Sequence, residues 1–337
     1  MKKYFICSLV FLSVITGCGK KNEEVKKNDN DIKDEVVEPE ENKKISIIDT
    51  ESDSRPVAVM INNHPLAVPN HAGLQDAYIT YEIVVEGGLT RLMAVFKDQN
   101  TARIGSVRSS RHYYLDYVLE NDAIYTHFGY SDIAKNDISA LGINNVNGLT
   151  DAGFFRDTSL NVPYEHTAFT SMENILEVAR NKGYRMTSSK KTLLNYSPTL
   201  INLEKENGSI KASNVSINYS YSQNTSYTYD EANQNYKRFV NGDPHVDAVT
   251  KNQYTYKNII VLKVENYSLD GYLQNLNNIG TGDGYYITCG YAIPIKWNKK
   301  SRDEQTIYTD LNGNEIKVND GNTFIQIQPI NETLTIN

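Results

Sequence analysis

Glu82, Glu86 and Arg91 flank a Gly87-Gly88 step, and a short way along the chain Arg103, Arg108 and Arg111 surround Gly105. Carboxylates and guanidiniums at this density suit one of two arrangements. One is a structural Arg–Glu network. The other is a cleft in which a carboxyl with a burial-raised pKa acts as a general acid while arginines orient an anionic or acetylated ligand. The planar fork of arginine matches carboxylate and phosphate oxygens. Along a strand, positions i and i+4 share a face, so Glu82 and Glu86 are expected side by side. Two carboxylates on one face are costly if buried, so they must face solvent, pair with arginines or serve a site. Glu86, at the mouth of the glycine turn, is the candidate acid, and Glu82 its helper. Arg91, Arg103, Arg108 and Arg111 are the candidate ligand-binding residues, joined by Asn62 and His127 at strand ends. Ser109 is placed to cap the next helix, whose N-terminus would favour an anion.

Other chemistries find less support. His64, His71, His112, His127, His166 and His245 show no H-E-x-x-H or comparable ligand spacing, so they are expected to be hydrogen-bonding residues, and neither a metal nor a cofactor is expected. No serine sits in a G-x-S-x-G elbow. Gly280 to Gly284 has the glycines of a phosphate loop but no following Lys-Ser/Thr, and reads as a turn. Asp310 to Glu315 misses calcium-ligand spacing and reads as a hairpin turn around Asn312-Gly313. Asp243 to Asp247 is a polar loop able to line an inter-domain groove.

The elements that must position these residues are legible as periodic patterns. Val57 to Ile61 is an unbroken apolar run, predicted as a buried strand that ends in the Asn62-Asn63-His64-Pro65 turn. Ile79 to Glu86 and Thr90 to Phe96 read as a hairpin turning at the glycines, and Ala123 to Phe128 as another strand. Helices are predicted from Ser109 to Leu119, with Tyr113, Tyr114, Tyr117 and Val118 on one face, and from Ser131 to Leu141. A third runs from Ser171 to Lys182, capped by Ser171 and stopped by Gly183. After a polar connector, alternating segments from Val215 onwards, the Ile259–Val264 run and the Gly284–Trp297 stretch indicate many short strands. The expected fold class is α+β: a mixed α/β head domain over 53–200, followed by a mostly-β domain over 205–337.

The N-terminus supplies an address. Lys2 and Lys3 precede an apolar run from Tyr4 to Ile15, and Thr16-Gly17-Cys18 closes it. This is the order of a secretory signal peptide over 1–17, and small residues before a cysteine match a bacterial lipobox, with Cys18 the lipidated residue. The apolar run is shorter than the ~20 residues needed to span a bilayer. Residues 18–52 are rich in Lys, Glu, Asp and Asn and read as a lipidated flexible tether. With Cys7 removed and Cys18 acylated, Cys289 remains as a lone thiol, expected to be buried. Net charge is −7, without the clustered basic surface that nucleic acid needs. The 24 tyrosines against one tryptophan suit exposed sheets and sugar-binding surfaces. The expected location is the outer face of the bacterial cytoplasmic membrane, with the membrane as partner through the lipid on Cys18, and peptidoglycan or envelope proteins as further partners.

Three stretches carry a family resemblance: Arg55 to Asn63, Tyr81 to Arg91, and Arg103 to Arg111. With Lys296-Trp297-x-Lys299 in the second half, they resemble the YerB-like lipoproteins of Gram-positive bacteria over Arg55 to near the C-terminus. Where that pattern usually has Gly-Pro-Val-Arg, this chain reads Gly105-Ser106-Val107-Arg108, which leaves the arginine in place. The resemblance implies a two-domain architecture and an envelope address, and it supplies no activity. Two functions follow as expectations. The first is a surface lipoprotein that binds a cell-wall ligand or envelope protein without turnover. The second is a glycan-cleaving wall enzyme of lytic-transglycosylase type with Glu86 as its single acid, an analogy of chemistry alone.

Overall fold

The computed structural model of the protein describes residues 44–337. The signal peptide, Cys18 and most of the expected tether lie outside the described residues. The end of that stretch carries core contacts: Ile48 is buried, Ile45 and Ile47 pack beside it, and the amides of Ser46 and Ile47 donate to Asp320.

The fold is α+β, mixed in its first half and mostly β in its second. Its backbone is one eleven-stranded sheet to which both halves contribute. Strand Thr323–Pro329 lies between Ile79–Val84 and Asn258–Val264, parallel to both, so the last long strand of the chain bonds the two halves together. On one side the sheet continues through Thr90–Phe96, Val57–Asn62, Ile124–His127 and Asn145–Asn147. On the other it continues through Gly280–Thr288 and Tyr291–Lys299.

Continuous apolar runs such as Val57–Ile61 follow from burial of this sheet on both faces. Odd-numbered residues of the first strand (Val57, Val59, Ile61) and Leu92, Ala94 and Phe96 face a second sheet, built on Asn214–Ser220, Gln223–Asp230 and Asn235–Val240, and a helix, Met172–Asn181. Ala58 and Met60, with Tyr81, Met93 and Val95, face the short helix Tyr114–Glu120 and its tyrosines. Most tyrosines are therefore core residues rather than surface ones. Several of their hydroxyls are bonded within the core: Tyr113 donates to the Val84 carbonyl, Tyr114 to that of Arg91, and Tyr81 to Glu120.

Local chemistry explains the boundaries. Ser131 and Ser171 cap their helices by accepting from the amides of Ala134 and Asn174. Gly87 and Gly88 take φ of 72° and 70° in the hairpin turn, where a side chain would be strained. Gly280 to Gly284 is the start of a strand, not a turn, because the glycines admit close neighbours. A Cβ on Gly284 would lie 2.3 Å from the Val261 carbonyl oxygen, and one on Gly282 would strike the Trp297 ring. Cys289 is buried at the tight turn joining the two long strands. The helix after the arginine segment begins only at Tyr114, so Ser109 does not cap it.

Candidate functional site

The first strand ends at Asn62 and its parallel neighbour at His127, so their carboxyl ends open on the same edge of the sheet. Such an edge is the usual ligand position in sheets with parallel strands, because loops rather than strands cover it. The segment Ser106–Ser110 is laid across this edge by backbone bonds. The Ser106 carbonyl accepts from Asn62, Arg108 donates to Met60, and Phe128 donates to the Arg108 carbonyl. This crossing delivers Arg108 and Arg111 to the place where Arg91, opposite Asn62 in register, emerges from its own strand.

The three guanidiniums are not equally provided for. Arg111 grips Glu86 with Nε at 2.8 Å and Nη2 at 2.7 Å. Arg91 has one protein partner, the Ser109 carbonyl at 2.6 Å, and Arg108 has one, the Glu165 carbonyl at 3.3 Å. Among the described residues neither forms an ion pair. Burial, followed by the charges of Arg111 and Arg108, brings Arg91 down to about 10. Arg108 is lowered by burial and by its neighbours Arg111 and Arg156, against the opposing pull of Glu165. Arg156 stacks on Phe128 and Tyr164 and donates to the Tyr164 carbonyl, again without a carboxylate. Beside them lies the buried His166, whose Nδ1 receives the Asn62 side-chain amide at 2.7 Å and whose ring stacks on His64. The result is a cationic edge of four arginines and two imidazoles, with Glu86 and Glu165 as its acids.

Glu82 does not share this site. The strand stops at Val84 and the chain turns through Glu86–Gly88, so the two-residue alternation that would align Glu82 with Glu86 is broken. Glu82 points to the opposite face, into the gap between the two sheets. There it is fully buried and accepts from Asn63, Thr90 and Thr225, with Arg238 at 2.9 Å. Burial by itself would lower Arg238, but the charge and hydrogen bond of Glu82, with Tyr227 and Tyr256 beside them, together more than offset it and hold that guanidinium protonated. As a helper to Glu86 it is therefore excluded by position.

From Arg238 a directed relay runs back to the site. Arg238 Nη1 donates to His245 Nδ1 at 2.6 Å. His245 Nε2–H must then donate to His71 Nδ1 at 2.8 Å, and His71 Nε2–H to the Asn62 carbonyl at 2.6 Å. Every step requires a neutral imidazole in one tautomer. Burial brings His71 down to about 4 and, with Arg238, holds His245 well below the normal histidine value. Asp247, which accepts from the Gly73 amide and the Tyr254 hydroxyl, pins the same loop. The 243–247 loop thus lines a groove of about 290 Å³ with Pro65, Val68 and Pro69.

The side chains of two other expected ligand residues are committed to other partners. Arg103 pairs with Asp157 at 2.5 Å and stacks on Phe169. His127 is buried, donates from Nδ1 to the Gly129 carbonyl and is pushed by burial down to about 4. Asn62, Arg91, Arg108 and Arg111 do come together. His64, Arg156 and His166 had no cue in spacing, because tertiary structure brings them in from distant loops. For Glu86, burial alone would raise the carboxyl, but the Arg111 contact outweighs it and holds it below the usual range. An ionised, forked carboxylate is unsuited to donate a proton at neutral pH, and the site does not equip Glu86 as a general acid.

Residues 45–185 match the N-terminal domain, and residues 215–325 the C-terminal domain, of the family described as protein of unknown function DUF3048. The chain is 28% identical over 275 residues to a Bacillus subtilis (strain 168) protein named "Putative lipoprotein YerB", covering 80% of this chain and 77% of that one. Its fold is similar to the crystal structure of the YerB protein from Bacillus subtilis, with a TM-score of 0.73 and 27% identity over 84% of this chain and 94% of that one.

Proposed function

The chain belongs to the YerB-like lipoprotein family, and from that premise we propose that it is a lipid-anchored binding protein of the bacterial envelope, holding an anionic wall ligand without turnover. Cys18 would carry the lipid, and the cationic edge would face the wall space. The observation that carries this reading is the pair Arg91 and Arg108, adjacent guanidiniums that lack a protein carboxylate. Like charges held together are unfavourable until an anion joins them. Asn62, Arg91, Arg108 and Arg111 form the binding set. The forked Glu86–Arg111 pair argues against glycan cleavage by a single acid.

The test uses the soluble chain from Gly19 with purified sacculi. Wild type should sediment with the sacculi and release no fragments detectable by mass spectrometry, and Arg108→Ala should remain in solution. Release of anhydro-muropeptides by wild type, abolished in Glu86→Gln, would replace this reading with the lytic one. A wild-type protein that does not sediment would remove the wall as ligand.

A further inference from the structure

The geometry points to a phosphate group as the anion this edge takes, held by Arg91, Arg108 and the Nε2–H of His166; the inference rests on the anion-binding reading and deepens it. The donors come from separate elements: Arg91 from strand Thr90–Phe96, Arg108 from the segment that crosses the sheet edge, and His166 from the turn Tyr164–His166. A planar carboxylate is satisfied by one fork, and Glu86 already shows this with Arg111. A tetrahedral phosphate presents oxygens in several directions and takes donors from several elements at once.

Charge agrees. Four guanidiniums (Arg91, Arg108, Arg111, Arg156) stand against two carboxylates (Glu86, Glu165), leaving two positive charges uncompensated at one edge of a chain whose net charge is −7. A phosphate ester carries up to about two negative charges near neutral pH.

Asn62 is the positioning residue. Its amide donates to His166 Nδ1, so the neutral ring carries its proton on Nε2, where no protein acceptor meets it among the described residues. The Asn62 side chain is oriented from its other end by the His64 amide, which donates to Oδ1. Its carbonyl is held by the relay Glu82–Arg238–His245–His71. The buried ion pair between the sheets thus anchors the backbone of Asn62, whose side chain sets the tautomer of His166.

The experiment is calorimetric titration of the chain from Gly19 at pH 7 and low salt with inorganic phosphate, poly(glycerol phosphate) and acetate, alongside flotation with phosphatidylglycerol and phosphatidylcholine vesicles. Phosphate should bind at least about tenfold more tightly than acetate, and Arg108→Ala should weaken it by at least about tenfold, or ~1.4 kcal/mol. Arg108→Lys, which keeps the charge but loses the fork, should fall between the two. Retention of the polymer but not of phosphatidylglycerol vesicles assigns the phosphate to a soluble polymer, and the reverse assigns it to a lipid headgroup; either supports the inference. Imidazole ¹⁵N shifts should show His166 protonated on Nε2 in wild type and on Nδ1 in Asn62→Asp, with loss of phosphate affinity in a variant that still melts cooperatively. Acetate binding as tightly as phosphate, or Arg108→Ala binding phosphate like wild type, would overturn the phosphate assignment. Wall sedimentation that persists under phosphate competition would overturn it while leaving the broader reading intact. Absence of binding to sacculi and to every anion would overturn both.

Discussion

At the residue scale, the two glutamates of the opening motif have opposite fates. Glu82 is a buried charge whose stabilisation depends on Arg238. Removing one partner leaves the other uncompensated, so Glu82→Gln should cost about 3–5 kcal/mol in urea denaturation. The double variant Glu82→Gln/Arg238→Met should recover part of that loss, since no charge is then buried alone. Equal or additive losses in the double variant would show that the pair contributes something other than mutual compensation. Glu86 competes for Arg111 from the edge of the cationic site. Glu86→Gln should therefore raise phosphate affinity by a few-fold, where a catalytic-acid role would predict no gain in anion binding. Arg103, committed to Asp157 and Phe169, should tolerate Arg103→Ala with no change in anion affinity in the same titration.

At the element scale, short strands and a crossing segment do what a single long motif cannot. The stretch Arg103–Arg111 enters as the brief strand Ile104–Gly105, paired with Ala168–Thr170, and then turns across the sheet edge. This sends Arg103 to one side and Arg108 and Arg111 to the other. Helix Met172–Asn181 closes the opposite face of the sheet, and its N-cap is local chemistry that can be tested alone. Ser171→Ala should lower stability by about 1 kcal/mol, measured by thermal melting, with anion binding intact. Gly284 is the comparable test for the strands, because its added Cβ would meet the Val261 carbonyl. Gly284→Ala should cost about 1–3 kcal/mol through forced separation of two paired strands.

At the scale of the whole molecule, Thr323–Pro329 makes the fold indivisible, since it supplies the strand between the two halves. Residues 44–200 expressed alone should lack the dispersed amide spectrum of a folded domain, and adding 205–337 in trans should restore it. A well-dispersed spectrum from 44–200 alone would show that the first half closes its sheet without that strand. The buried histidines add a pH dependence. His71 and His127 titrate near 4 in the folded state but near 6.5 once unfolded. As pH falls, the unfolded chain takes up these protons first, so stability declines from about pH 6.5 to about pH 4, by up to roughly 3 kcal/mol for each ring. His245, also held well below the normal histidine value by burial and Arg238, adds in the same direction. Urea midpoints at pH 7.5, 5.5 and 4.5 should fall in that order, and a flat profile would contradict the neutral relay.

The sequence by itself determined what depends on local order. Unbroken apolar runs specified strands buried on both sides, Ser131 and Ser171 specified helix starts, and Gly87-Gly88 specified a hairpin, because each is set by neighbours a few residues away. Asn62 and Arg91 were legible as residues at the ends of locally patterned strands, and Arg108 and Arg111 as arginines massed around Gly105, but the crossing segment that brings the two pairs together is a tertiary feature. The tertiary structure decided the rest. Glu82 and Glu86 read as partners only while the strand was assumed to continue past Val84, and its ending put them on different sides of the sheet. His71 and His245 lie far apart in the chain and meet at 2.8 Å, and Arg156 and His166 reach the site from loops with no periodicity to read. A contact of this kind follows from how two sheets pack, and side-chain burial, tautomer and charge state are properties of the packed neighbourhood rather than of spacing along the chain.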